Sequence, residues 1–258
     1  MLTSQVRGFS LLAIVIAVLM PLNDSFELPF LQECTFEDEQ CHVEHVNKFF
    51  EMYGNGIEEL DVPTLDPMHL GDITIKGNSN ENFNLQLFME NVDLYKFPIV
   101  KCLSIKGFSQ DGSKPMRVVL KLLSPQLIVK AHCRIKGKLL LFTVAGDTDL
   151  NLDIKNVTTT MKVKCSPYTK EGVTYYKADE MKPRLDIGSL STSFANSTLF
   201  NGEEIFMETF ADTINENWEV LRDEIEPHIN NAVGKVAIEA LNKIMATMPY
   251  EKYFKKSE

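Results

Sequence analysis

A single apolar stripe near the C-terminus constrains the fold more than any other feature of this sequence. Between about residues 201 and 248, apolar residues recur at every third or fourth position, which is the period of an α-helix. The stripe comprises Phe206, Phe210, Ile214, Trp218, Leu221, Ile225, Ile229, Val233, Val236, Ala240, Ile244 and Met248. At about 1.5 Å per residue, a helix of this length reaches roughly 70 Å. We therefore expect an elongated molecule.

The ends and charges of this segment are also typical of a helix. Asn201 and Glu204 have the spacing of a capping pair, whose side chains bind the unpaired N–H groups of the first turn. Acidic residues crowd the N-terminal half and basic residues the C-terminal half, as the helix dipole favours. Because Pro227 lacks a backbone N–H and clashes with the preceding turn, we expect a kink or a break there.

Between about residues 62 and 187 the apolar pattern changes from helical to alternating. Alternating sets occur at residues 73–75, 83–89, 103–105, 116–122, 127–135, 150–154 and 161–165. Turn residues separate many of these sets, at 77–78, 96–98, 110–113 and 146–149. The pattern predicts an antiparallel sheet with one buried face and one solvated face.

The clearest of these strands also indicates the shape of the sheet. Its apolar face comprises Leu127, Val129, Ala131, Cys133 and Ile135. If the strand continues to residue 141, it covers about 15 residues and roughly 50 Å, a length that matches the long helix. The simplest fold that buries both is an α+β super-roll, in which a strongly curled antiparallel sheet wraps along the C-terminal helix. The periods leave open whether its interior is filled or hollow.

The first 25 residues have the composition of a secretory signal peptide. Arg7 precedes an apolar run from Phe9 to Met20, and polar residues follow up to Ser25. The run is too short to span a bilayer, and a buried helix is the alternative interpretation. We expect cleavage near Ser25, which leaves either one elongated domain or two small ones.

Charge limits the partners of this chain. The sequence has 26 basic and 36 acidic residues, a net charge of −10, so nucleic acids and anionic membrane surfaces are poor partners. Two Asn-x-Thr sequons, at Asn156 and Asn196, are typical of a secreted glycoprotein.

Five cysteines are an odd number for an oxidising compartment, so at least one thiol is free or bonded to another molecule. Cys34 and Cys41 are the expected disulfide pair, because they are close in sequence, precede the first helix and would anchor the N-terminal arm. The sequence does not assign Cys102, Cys133 or Cys165.

A short amphipathic helix follows Cys41. Its apolar face comprises Val43, Val46, Phe50 and Tyr53. Gly54-Asn55-Gly56 then supplies the residues that end a helix. Although His42 and His45 lie beside Cys41, they lack the i, i+4 spacing of a helical zinc pair, so we expect no metal site.

Catalytic motifs are absent from the sequence. It contains no Gly-x-Ser-x-Gly elbow, His-Glu-x-x-His motif, P-loop or dinucleotide-binding glycine pattern. Since a triad assembled from distant residues leaves no such motif, a hydrolase of lipid esters remains an alternative. Such an enzyme would need an inward nucleophile near one of the five histidines. A second alternative is an extracellular structural or receptor-binding protein with a filled core.

A further set of residue groups spans almost the whole chain after residue 25. They are Leu28-Pro29, Cys34 and Cys41, Gly56-Ile57, Val62-Pro63, Leu65-Asp66-Pro67, Pro125, Leu127, Gly137-Lys138, Gly146, Leu199-Phe200-Asn201-Gly202, Ile214-Asn215-Glu216-Asn217-Trp218 and Pro249-Tyr250. In this combination the chain resembles the insect juvenile hormone-binding protein family, and more specifically its takeout-like branch. The sequence departs from the family at Cys133, where relatives usually carry tyrosine, and at Thr143 and Thr148, where proline and glycine are common.

The resemblance implies a tubular lipid-binding fold, in which a curled sheet around a long helix encloses a hydrophobic tunnel, as a single domain over residues 26–258. It also implies a secreted, non-enzymatic carrier without a cofactor, for a juvenile-hormone-like terpenoid, a fatty acid or another lipid. We expect a monomer that has no transmembrane segment.

The expected tunnel lining takes its residues from the apolar faces of three elements. It comprises Val43, Val46, Phe50 and Tyr53 of the first helix, Val129, Ala131, Cys133 and Ile135 of the central strand, and Phe210, Ile214, Trp218 and Leu221 of the long helix. Ordinary core packing is the alternative role for each of them. Alternation directs Cys133 to the interior, where Cys133→Tyr would change ligand preference if the residue lines a tunnel.

Overall fold

The computed structural model describes residues 26–31, 33–77 and 83–254. The predicted signal peptide, residues 1–25, lies outside these ranges. The elements are, in chain order, α1 (Glu39–Tyr53), β1 (Met68–Lys76), β2 (Phe83–Tyr95), β3 (Lys101–Lys106), β4 (Met116–Leu139), β5 (Phe142–Lys170), β6 (Val173–Asp186), β7 (Ser189–Ala195), α2 (Glu204–Glu216), α3 (Trp218–Met245) and α4 (Tyr250–Tyr253).

The seven strands of the described residues form one antiparallel sheet. Its main order is β1-β2-β4-β5-β6, while β3 pairs with the first half of β4 and β7 with the first half of β5. The sheet curls around the C-terminal helices, which confirms the predicted α+β class. None of the helices in the described part of the chain has the length and apolar character needed to cross a membrane.

The centre of the sheet is one long hairpin. Strand β4 has 24 residues and β5 has 29, and they pair from Met116–Cys165 to Leu139–Phe142. The sets at residues 116–122 and 127–135 therefore belong to one strand. The predicted turn at residues 146–149 is wrong, because these residues pair within the hairpin. Gly146 marks a close approach instead, since a Cβ there would lie 2.7 Å from Thr198 Oγ1.

The buried face of the hairpin changes at its middle. In β4 the buried residues are even-numbered from Met116 to Ser124 and odd-numbered from Leu127 onward. Pro125 and Asn156 lie opposite each other at this point, and Asn156 has a positive φ of 53°. Proline lacks a ladder donor, so the two strands can rotate here. The interior is thereby divided into two halves with different buried parity.

The long C-terminal stripe folds as two helices rather than one. Asn217 ends α2 by donating to Thr213 O from its backbone N and from Nδ2, at 3.2 and 2.8 Å. Its own carbonyl accepts from Leu221 N at the start of α3. The expected break at Pro227 is wrong: α3 continues through it, because Pro227 and Asp223, whose carbonyl loses its helical donor, both face solvent.

The predicted capping pair is also wrong. Asn201 belongs to a 3₁₀ turn at Leu199–Gly202, in which Phe200 and Asn201 have φ values of 51° and 57°. This left-handed turn separates Asn201 from the helix, which starts at Glu204 without a side-chain cap. The helix is thus started by the chain reversal and its packing on β7.

Helix α3 crosses the gap between the two ends of the curled sheet and packs on both β6 and β1. The side chain of Asn242 binds the edge of β6 as a neighbouring strand would: Oδ1 accepts from Ala178 N at 2.7 Å, and Nδ2 donates to Ala178 O at 3.0 Å. Glu226 Oε1 accepts from Leu185 N, 3.3 Å away on the same strand. The helix therefore closes the roll with hydrogen bonds as well as apolar contacts.

We predict that Asn242→Ala lowers the free energy of unfolding by about 1–3 kcal/mol, because it leaves two backbone groups of the β6 edge without partners. Chemical denaturation measures this loss. Asn231→Ala is the matched control, since Asn231 is an exposed asparagine of the same helix and should change stability by less than about 0.5 kcal/mol. Equal effects of the two substitutions would contradict the edge-closing role of Asn242.

Candidate functional site

An apolar cavity of about 220 Å³ lies in the half of the roll that contains β3 and β6. The N-terminal arm and α1 contribute Leu28, Phe30, Leu31, His45, Val46 and Phe49. The sheet and the loop after β3 contribute Ile105, Phe108, Met116, Val118, Leu120, Val163, Cys165 and Tyr176. Helix α3 and the C-terminal segment contribute Leu241, Ile244, Met245, Met248, Tyr250, Tyr253 and Phe254. Apolar side chains thus dominate the wall, as in sites for hydrophobic molecules.

A disulfide between Cys34 and Cys41 holds the covering elements together, with a sulfur–sulfur distance of 2.00 Å. Cys41 lies in the first turn of α1, not before the helix, and its backbone N donates to the capping Asp38 side chain. Cys34 N donates to Tyr253 O in the C-terminal segment. Arm, helix and C-terminal segment are therefore joined at one end of the cavity.

Two buried histidines lie beneath this junction. His42 is fully buried, its Nε2 donates to Thr35 O at 3.0 Å, and its buried Nδ1 has no hydrogen-bond partner among the described residues. His45 lies on the cavity wall, with Nδ1 3.5 Å from Cys34 Sγ. Aromatic rings surround both, including Phe108 at 4.4 Å from the His42 ring and Tyr253 at 6.0 Å from the His45 ring. The histidines thus belong to the covering layer.

The side chains of Cys34, Cys41 and His45 converge closely enough to suggest metal ligands. The two sulfur atoms are bonded to each other, so neither is available as a thiolate. The disulfide accounts for the convergence.

The ionisable groups of the wall are held in their neutral forms. Burial raises the pKa of Cys165 to about 11 and that of Tyr250 to about 12. Burial lowers the pKa of His45, assisted by the nearby His42 and Lys48. The Tyr250 hydroxyl donates to Ser109 O, so its polar end is already bonded.

The predicted lining residues are distributed over both halves of the roll. Val46 lies on the cavity wall. In the other half Ala131, Cys133, Ile135, Phe210 and Leu221 are buried in one packed cluster, with Ile214 and Val129 against it. Val43 and Phe50 pack in the cluster beside the cavity, Tyr53 packs under the arm, and Trp218 is half-buried. A ligand-binding role for these eleven residues stays a prediction.

Sequence reasoning missed most of the wall. Met116, Val118, Val163 and Cys165 belong to recognised alternating sets, so their inward direction was predictable but their position beside a void was not. The C-terminal aromatic residues after Pro249 follow the helical stripe and gave no periodic signal. Their contacts with the arm depend on the tertiary fold.

Both sequon asparagines are exposed. Asn156 lies at the bend of β5, and Asn196 follows β7, where its Nδ2 donates to Asp149 Oδ2 at 2.7 Å. Exposure is compatible with glycosylation, which stays a prediction.

Comparison with known proteins gives consistent matches over nearly the whole chain. The sequence profile of the family described as haemolymph juvenile hormone binding protein (JHBP) matches residues 10–255. The circadian clock-controlled protein daywake of Drosophila melanogaster is 28% identical over 263 residues, covering 98% of this chain and 99% of the relative. The daywake protein of Drosophila yakuba is 30% identical over 230 residues, covering 87% of each. The crystal structure of Epiphyas postvittana Takeout 1 matches with a TM-score of 0.73 at 20% identity, covering 88% of this chain and 100% of that chain, and so shares its fold.

We predict that acid weakens the fold through the buried histidines. Burial lowers the pKa of His42, against the smaller opposing effects of Thr35 and Asp38. An unfolded histidine keeps its ordinary pKa near 6.5, so below that pH the unfolded chain binds protons that the folded chain does not. The stability present above pH 6.5 is therefore lost as pH falls toward the lowered folded pKa values. Thermal unfolding between pH 7.5 and 5 measures the loss.

The matched variants separate these histidines from other acid effects. The combined change His42→Gln and His45→Gln should reduce the fall in melting temperature between pH 7.5 and 5. His228→Gln on α3, outside the covering layer, should keep the pH dependence of the unmodified protein. An unchanged pH dependence in the double variant would exclude the buried histidines as its cause.

We further predict that Cys133→Tyr costs about 1–3 kcal/mol or more of stability, because Cys133 is fully buried in a packed cluster of the half away from the cavity. Denaturation of the variant and of Cys133→Ala measures the cost of added volume against a small substitution. A changed order of ligand affinities in the tyrosine variant would instead support the tunnel-lining role expected from the sequence.

Proposed function

Because the chain belongs to the haemolymph juvenile hormone binding protein family, we propose that it is a secreted, non-enzymatic carrier that holds a hydrophobic small molecule. The resemblance seen in the sequence is thereby confirmed. The molecule may be sought among juvenile-hormone-like terpenoids, fatty acids and other lipids. The site of binding in this proposal is the cavity beneath the N-terminal arm and α1.

The observation that carries the proposal is the apolar cavity of about 220 Å³ inside an otherwise packed roll. A ligand that fills it removes apolar surface from water, at about 25 cal/mol per Å². The wall side chains Val46, Val118 and Val163 come from three elements and face this space from different sides. Such convergence supports a site that binds by shape and apolar contact.

The arm and α1 supply a plausible route of entry. They cover the cavity through a small number of aromatic contacts, such as the pair Phe30 and Tyr53 with ring centroids 6.3 Å apart. Short covering elements open at lower free energy than a central sheet, and a ligand must pass one of them. In the proposal this cover opens while the long hairpin stays paired.

The hydrolase alternative has weaker support. The cavity wall contains both His45 and Cys165, but burial raises the pKa of Cys165 to about 11, so little thiolate is present at neutral pH. His69 and His132 each bond an aspartate on exposed strand faces, at 2.6 and 2.7 Å. These pairs lie away from the apolar cavity and suit surface ion pairs better than ester hydrolysis.

Secretion, glycosylation and the domain boundaries are parts of the same proposal. We place the signal peptide at residues 1–25 and a single binding domain at residues 26–258, acting as a monomer. The disulfide between Cys34 and Cys41 is suited to an oxidising compartment. The exposed Asn156 and Asn196 are available for glycosylation there.

We predict that Val118→Phe weakens binding of a neutral fluorescent naphthylamine probe at least tenfold, because the added ring occupies cavity volume. Val118 is buried on the wall. Its neighbour Val119 lies on the opposite, exposed face of β4. Val119→Phe is therefore a matched control and should change probe affinity less than twofold. Fluorescence titration after removal of bound lipid measures both.

Melting temperatures establish that the variants fold. Equal probe binding by Val118→Phe and the unmodified protein would place the binding site elsewhere. Failure of the delipidated, folded protein to bind this probe or any hydrophobic molecule tested would favour the structural alternative, and turnover of an ester substrate would favour the hydrolase.

A further inference from the structure

The electrostatic character of the cavity limits its ligands. Among the described residues, none of the wall side chains is a lysine, arginine, aspartate or glutamate. The wall therefore offers no fixed cation to a carboxylate and no fixed anion to an amine.

The ionisable wall side chains do not supply that charge at neutral pH. They are His45, Cys165, Tyr176, Tyr250 and Tyr253. Burial lowers the pKa of the histidine and raises the pKa values of the thiol and the three phenols, so each group stays neutral.

Two of the three phenol hydroxyls are also directed to the protein backbone. Tyr176 donates to Lys114 O at 2.8 Å, and Tyr250 donates to Ser109 O at 2.5 Å. These bonds use the hydroxyl hydrogens that a ligand carboxylate would otherwise accept. An anion in the cavity would therefore be desolvated without a charged partner, which is strongly unfavourable.

The volume sets a second limit. The cavity measures about 220 Å³, below the roughly 300–1,000 Å³ of sites for drug-sized ligands. An engineered apolar cavity of about 150 Å³ holds benzene, which has six non-hydrogen atoms. On that scale, this cavity suits about nine non-hydrogen atoms.

Resting on the proposed carrier function, we infer that this cavity selects a compact, uncharged, apolar ligand of about nine non-hydrogen atoms and discriminates against carboxylates, including fatty acid anions. Size and charge act separately. Atoms beyond the filled cavity add little affinity, and an ionised head group lowers affinity at any chain length.

A paired series of ligands tests both limits. The 1-alkanols and the n-alkyl carboxylates from six to sixteen carbons are titrated at pH 7.5 against the naphthylamine probe bound to delipidated protein. Alcohol affinity should rise about fourfold per carbon while each added CH₂ is buried, and should level off near nine or ten carbons. At each length the carboxylate should bind at least tenfold more weakly than the alcohol.

A charge introduced on the wall tests the cause of the discrimination. Met245 lies on the wall at the end of α3 and is half-buried, so a lysine there can keep its ammonium near water. Met245→Lys should raise carboxylate affinity relative to alcohol affinity at least tenfold. Met245→Leu keeps the wall neutral and should retain the preference of the unmodified protein. Circular dichroism and melting temperature verify that both variants fold.

The outcomes are distinguishable from those of the proposed function. If the protein binds the probe but carboxylates compete as well as alcohols, the inference about charge is wrong. If alcohol affinity rises steadily to sixteen carbons, the inference about size is wrong. If folded Met245→Lys leaves the preference unchanged, the missing cation is not its cause. A protein that binds neither the probe nor any member of the series overturns the carrier function itself.

Discussion

An antiparallel sheet that curls without closing leaves two edge strands, and the rest of this structure depends on how one helix covers them. Helix α3 packs on both β1 and β6. At β6 it supplies side-chain hydrogen bonds in place of a neighbouring strand, through Asn242 at Ala178 and Glu226 at Leu185. Unpaired edge groups are both a cost to the fold and a risk of aggregation. The helix thus fixes the diameter of the roll, and the diameter decides how much interior the side chains must fill.

The two halves of the roll meet that demand differently. In one half the rings of Phe142, Phe194 and Phe200 lie within 5.5 Å of the Phe210 ring and fill the space between sheet and helix. In the other half the strand residues on the wall are smaller, with Val118, Val163 and Cys165 facing α3 across a void. The change of buried parity at Pro125 lies between the halves, so each packs its own set of side chains.

The sequence predicted the features that depend on periodicity. Alternation predicted the sheet, its antiparallel arrangement and the inward face of residues 127–135, and the stripe predicted helical structure at the C-terminus. It could not distinguish a turn from a close approach at Gly146, since glycine suits both. It also misplaced the helix break, because a proline on a solvated face is tolerated while Asn217 caps both helices with its own backbone and side chain. The filled and hollow halves have the same apolar pattern, so the site itself needed the three-dimensional distances.

The void carries a thermodynamic consequence that connects fold and function. Packing defects in protein cores cost about 24 cal/mol per Å³, so a cavity of about 220 Å³ corresponds to about 5 kcal/mol. That is comparable to the whole stability of a small domain, about 5–15 kcal/mol. A chain selected for stability alone would fill the space, as its other half does with phenylalanine. A ligand that occupies the cavity restores the missing contacts, and its binding free energy adds directly to the stability of the folded state. Retention of the void is therefore physically reasonable where an occupant supplies the contacts that the chain's own side chains do not make.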